Sequence, residues 1–169
     1  MRILRCQPVM PQENIWYSDR IYYLQRCLFE IMFCPKSEGG SLDSALAIAG
    51  IMFCGNCLRD IPLTFEVFKK AVARLKSVIQ DLEDCGLLID DPQLDHRLFW
   101  AIGFGGVAAD GKPERAWYVA KFRQLCDARN IQDWGSAKAV LEAFLWESSY
   151  DGAGHLLWVE ANVENCLPG

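Results

Sequence analysis

From Phe65 to Leu82 the apolar residues Phe65, Phe68, Val72, Leu75, Ile79 and Leu82 recur three or four positions apart. Lys69, Lys70, Arg74, Lys76 and Asp81 fall between them. Side chains at that period share one face of a helix, whereas one face of a strand takes every second residue. Thr64 is placed to cap this helix, and Gly86 stands where a left-handed residue would close it. An amphipathic helix must bury its apolar stripe against other elements. The rest of the chain offers only helices for that purpose.

In residues 16–33, Tyr17, Ile21, Leu24, Leu28 and Ile31 form one helical face, and Cys34-Pro35 ends it. A polar loop follows, and Ser41 is placed to cap a second helix that is apolar almost all round. Asp91 and Pro92 open a fourth helix that runs to Asp110-Gly111. Pro113 starts a fifth, with Trp117, Val119 or Ala120, Phe122 and Leu125 as its buried set. Asp133 or Ser136 caps a sixth, with Val140, Leu141, Phe144 and Leu145 facing inward. A short seventh follows Gly152 and Gly154. No strand signal, internal repeat or long linker interrupts the series. The sequence therefore predicts an all-α fold, a single compact domain of six to seven packed helices across residues 1–169.

Length and charge narrow the function. A chain of 169 residues with 51% hydrophobic and 23% charged residues resembles an ordinary globular domain, not a disordered one. The net charge of −5 argues against gripping a phosphate backbone, so no nucleic acid partner is expected. Eight cysteines, several inside apolar runs, read as reduced core thiols. No secretory signal pattern opens the sequence, which predicts an intracellular location, cytoplasmic or nuclear. The longest apolar stretches, 45–55 and 98–109, fall short of the ~18 residues that a membrane span needs, so no membrane is expected.

Motifs carry less. Gly103-Phe104-Gly105-Gly106-Val107-Ala108 spells a dinucleotide fingerprint, but it lies inside a helical stretch with no strand before it. Its glycines either draw a neighbouring helix close or leave a space. Cys54 and Cys57 form a lone CxxC near a helix end; zinc would need two further ligands, so neither metal nor cofactor is expected. His96 and His155 are the two histidines, and Asp151 lies one helical turn before His155, placed to orient its ring. Catalytic candidates are thus His155, Asp151 and His96, with Asp95 and Arg115 beside them. Five of the six tryptophans fall in the last 70 residues. Trp100, Arg115, Trp117 and Trp146 are candidates to hold a small apolar ligand between the helix of residues 92–109 and the segments carrying Trp117, Trp146 and His155. The bland reading is that the indoles fill that space.

The C-terminal half also resembles a known family. Trp100 with Gly105-Gly106, the turn Gly111-Lys112-Pro113-Glu114-Arg115-Ala116-Trp117, the run from Trp134 to Phe144-Leu145-Trp146, Asp151 and Trp158 are similar to the end of the fungal-specific transcription-factor regulatory domain. The likeness spans residues 41–162, with residues 1–40 as an N-terminal helix and loop. Such regulators carry a binuclear zinc cluster of six closely spaced cysteines, and Cys6, Cys27, Cys34, Cys54 and Cys57 are too dispersed to form it. The resemblance implies a stand-alone regulatory-type domain that binds a small molecule or a protein partner. The alternative is a cofactor-free cyclase, isomerase or pericyclase-like enzyme of fungal specialised metabolism, working in a Trp-lined helical pocket. An apolar face left by a missing upstream half would favour a homodimer.

Overall fold

A computed structural model describes residues 11–32, 42–86 and 92–162. Its helices are α1 (Pro11–Met32), α2 (Leu42–Phe53), α3 (Glu66–Asp84), α4 (Pro92–Ala108), α5 (Arg115–Ala128), α6 (Trp134–Glu142) and α7 (Asp151–Asn162). One π-helical turn, Cys54–Leu58, continues α2, and one 3-10 turn, Ser148–Tyr150, leads into α7. No strand occurs among the described residues. The fold is all-α, as the helical periodicity predicts.

The hub is α4. No polar side chain interrupts the run from Leu98 to Ala109, and every residue in it is buried. A helix with no polar face has to be covered all round, and α2, α3, α5, α6 and α7 all pack against it. Its glycines set how closely they come. A Cβ on Gly103 would lie 2.7 Å from Leu141 of α6, one on Gly105 2.6 Å from Tyr118 of α5, and one on Gly106 2.6 Å from Leu157 of α7. These small positions draw three helices inward, and side chains fill the space that the sequence alone left open.

Several boundaries differ from the sequence expectation. The turn in which Phe65 N–H donates to Pro62 O (3.0 Å) delays α3, so extended Phe65, not Thr64, holds the N-cap position. Gly86 does close α3, with φ of 67°. A similar turn, Arg115 N–H to Lys112 O (3.1 Å), puts Pro113 before α5. The buried line of α5 is Tyr118, Phe122 and Cys126; Trp117, Val119 and Leu125 flank it half-buried, and Ala120 is exposed. Asp133 caps α6 by accepting from Ser136 N–H at 2.9 Å. That helix stops at Glu142, so Phe144 and Leu145 lie beyond it, 43% and 41% exposed, rather than facing inward. Gly152 and Gly154 lie within α7, which already begins at Asp151. The proposed caps Ser41 and Asp91 lie outside the described residues.

Tyr118 ties α5 to α3: it is fully buried, and its hydroxyl donates to Val72 O at 2.9 Å. Burial, with the Glu114 charge as a lesser cause, pushes its pKa far above the ordinary 10.0. A phenol whose pKa rises on folding binds its proton more tightly in the folded state. Its contribution is complete below pH ~10 and is lost as the pH climbs above that value. Urea titrations at pH 7 and pH 11 should show a marked alkaline loss in the wild type. Tyr118→Phe should cost about 1 kcal/mol at pH 7 and show a shallower alkaline loss. Equal pH slopes in the two proteins would refute this role.

Candidate functional site

The structure scatters the sequence candidates over three places. The first surrounds Gly154. Trp134 and Trp146 press against its open face, where a Cβ would lie 2.5 Å and 2.8 Å from their rings. The exposed His155 ring packs edge-on to Trp134 (6.0 Å between centroids) and stacks on Trp158 (6.4 Å). Asp151 does not orient His155. Its carboxylate accepts from Lys138 Nζ at 2.7 Å and from Trp146 Nε1 at 3.0 Å. The Lys138 bond holds that carboxyl below the usual carboxylate range. A carboxylate fastened to an ammonium and an indole is a brace across α6 and α7, not half of a proton-transfer couple. The indole N–H of Trp158 is buried without a partner.

The second place is the core. Trp100 is 1% exposed, stacks on Phe104 (6.0 Å, 7°), and donates its indole N–H to Leu145 O. Trp117 lies apart from it, edge-on to Tyr118 at 4.9 Å with the Lys76 ammonium over its ring at 5.8 Å. Trp100, Trp117 and Trp146 therefore have separate neighbours. His96, exposed near the start of α4, has Nδ1 3.4 Å from Arg129 Nη1. The side chain of Asp95 lies outside the described residues.

The third place is built around Arg115. A surface cleft of ≈ 580 Å³ runs beside the start of α5 and the end of α7, lined by Lys112, Arg115, Arg123 and Glu160 over an apolar floor that includes Ala116 and Val119. Of the three cations that line it, Arg115 is paired with Glu160, while Arg123 Nε lies 3.8 Å from Asp127 Oδ2. Arg115 offers its fork side-on: Nε donates to Glu160 Oε2 and Nη2 to Glu160 Oε1, both at 2.8 Å. Its remaining nitrogen, Nη1, donates to Gly106 O at 2.6 Å and anchors the guanidinium to α4. The Arg115 bond holds the Glu160 carboxyl below its ordinary range. Lys112 Nζ donates to Ala108 O (2.6 Å) and Leu63 O (3.0 Å), capping the end of α4, where cations are favoured. A planar guanidinium fixed from behind and holding Glu160 by two parallel bonds shows the geometry by which arginine recognises carboxylates.

Sequence reasoning found Arg115 but missed Lys112, Arg123 and Glu160. Lys112 was visible in the turn that precedes Arg115. Glu160 lies 45 residues away and carries no local signal.

A smaller polar cleft, ≈ 390 Å³, is lined by Asn56, Cys57, Asp60, Glu147, Ser149 and Tyr150. Its central groups bond one another: Tyr150 OH donates to Asn56 Oδ1 (2.6 Å), and Asn56 Nδ2 donates to Ile61 O (2.8 Å). Burial pushes the Cys54 and Cys57 thiols up, away from the thiolate form that redox chemistry or metal binding uses. Among the described residues, no group of three or more His, Cys, Asp and Glu side chains is placed to hold a metal ion. No described helix is long and apolar enough to cross a membrane.

Comparison with family models, with curated proteins and with solved structures finds no match for this chain. The class that the fold itself defines is an all-α helical domain.

Proposed function

We propose that this chain is a helical binding module of fungal regulatory type and that it takes up an apolar organic acid in the Arg115 cleft. The observation that carries the reading is the side-on, two-bond grip of Arg115 on the Glu160 carboxylate. The protein's own carboxylate occupies the fork, and a ligand carboxylate exchanges with it. The floor of small apolar side chains accommodates a hydrocarbon body, and the cleft volume falls within the ~300–1,000 Å³ of small-molecule sites. The turn Gly111-Lys112-Pro113-Glu114-Arg115, which underlies the family resemblance, supplies two of the three cations.

Calorimetric titration with decanoate tests this. Decanoate should bind the wild type, and decylamine, which carries the opposite charge, should not. Arg115→Gln should weaken binding at least ~10-fold, since losing a bidentate charged pair costs more than ~1.4 kcal/mol. Glu160→Gln should strengthen it by removing the internal competitor. Decanoate binding that survives Arg115→Gln in a folded protein would sink the proposal.

A further inference from the structure

The start and the end of α7 are held in different ways. At the start, Asp151 accepts from Lys138 Nζ and Trp146 Nε1, and Gly154 seats the rings of Trp134 and Trp146. In mid-helix Leu157 is 1% exposed and packs on Gly106. The last turn, residues 159–162, has far less. Val159 is exposed, Ala161 buries a single methyl, and Asn162 Nδ2 donates to Trp158 O within α7 itself. Among the described residues, Glu160 alone ties this turn to another helix by hydrogen bonds, through its two to Arg115. That tie ends at the seat on which the proposed ligand acts. The side-on edge of a guanidinium holds one carboxylate at a time. Gly106 O fixes Arg115 Nη1 to α4, and the Arg115 side chain is 14% exposed against 46% for Glu160. The anchored partner stays, and the exposed one is displaced.

We infer that Glu160 is a latch: a carboxylate that takes its place on Arg115 frees the last turn of α7, and the domain reports an occupied cleft by loosening residues 159–162. The inference rests on the cleft reading above and adds its regulation. Linkage makes the effect reciprocal. A partner that holds this turn against α5 weakens the ligand by the factor by which the ligand weakens the partner.

Amide hydrogen exchange on the ¹⁵N-labelled full chain, with and without decanoate, tests the latch. Glu160→Ala alone should lower the protection factors of residues 159–162 about 5-fold, although alanine is the better helix former and by propensity would raise them. The Leu157 and Trp158 amides should keep theirs. Saturating decanoate should produce the same loss at the same amides in the wild type, and no further loss in Glu160→Ala. Unchanged protection in Glu160→Ala would show that the ion pair does not hold the turn, and the latch is then overturned whatever binds. Decanoate that binds by calorimetry but leaves residues 159–162 protected overturns the latch and spares the cleft reading. Absence of calorimetric binding overturns both.

Discussion

Gly105→Ala should destabilise this domain by about 2 kcal/mol, although alanine is the better helix former by ~1 kcal/mol. Packing outweighs propensity here because the added methyl has nowhere to go. Its carbon would lie 2.6 Å from Tyr118 Cε1 and 2.9 Å from Leu75 Cδ2. Neither neighbour yields easily. Tyr118 is fully buried and hydrogen-bonded to Val72 O, and Leu75 is fully buried in α3. In a domain of this size the loss corresponds to a Tm lower by about 4–8 °C. Gly152→Ala is the matched control: it also lies in a helix, and a Cβ there meets nothing within 4 Å. It should leave stability unchanged or slightly raised. Urea titrations followed by circular dichroism decide the matter, and a Gly105→Ala protein as stable as wild type would contradict the packing of α5 on α4.

Trp100→Ala should cost about 3–5 kcal/mol, a large part of the ~5–15 kcal/mol that holds a domain together. The ring lies against Phe53, Phe104 and Phe144, at centroid distances of 6.3, 6.0 and 4.9 Å. Its removal opens a cavity at the centre of the aromatic core. The hydrogen bond to Leu145 O is worth only about 1 kcal/mol, so the lost volume dominates. Trp100→Phe, which keeps most of the apolar volume, should therefore lose clearly less than Trp100→Ala. Equal losses would mean that the indole N–H, not the packed ring, is what the core depends on.

The helices were legible wherever a periodic stripe met a single environment. In α3 one face is buried and the other wet, so Phe68, Val72, Leu75, Ile79 and Leu82 announced both the helix and its buried side. The run from Leu98 to Ala109 announced α4 as the hub, because an uninterrupted apolar helix has one place to go. Phase was lost in α5. Aromatic and aliphatic side chains occur on more than one side of it, and only the tight fit of Tyr118 against Gly105 selects the inward line. The end of α6 was lost for a related reason. Phe144 and Leu145 continue the apolar spacing but serve as a lid on Trp100, through a ring contact and a backbone carbonyl.

The candidate site was legible in part. Arg115 stood out as a charge set among apolar neighbours. Its partner Glu160 comes from another helix, and pairing across 45 residues follows from how α5 and α7 pack, not from any local pattern. Asp151 and His155 misled in the opposite direction. Helical spacing set them one turn apart, but Lys138 and Trp146 from the neighbouring segment claim the carboxylate first.

The central claim is that ligand recognition lies in the Arg115 cleft on the surface and not among the core tryptophans. Titrating ¹⁵N-labelled protein with decanoate while following backbone amide, Arg115 Nε and indole signals by NMR tests it most directly. The account predicts the largest shifts at Arg115 Nε and at amides of residues 112–120 and 160–161, with the Trp100 indole unmoved. Shifts centred on Trp100, Phe104 and Leu141, or none anywhere at millimolar decanoate, would contradict it.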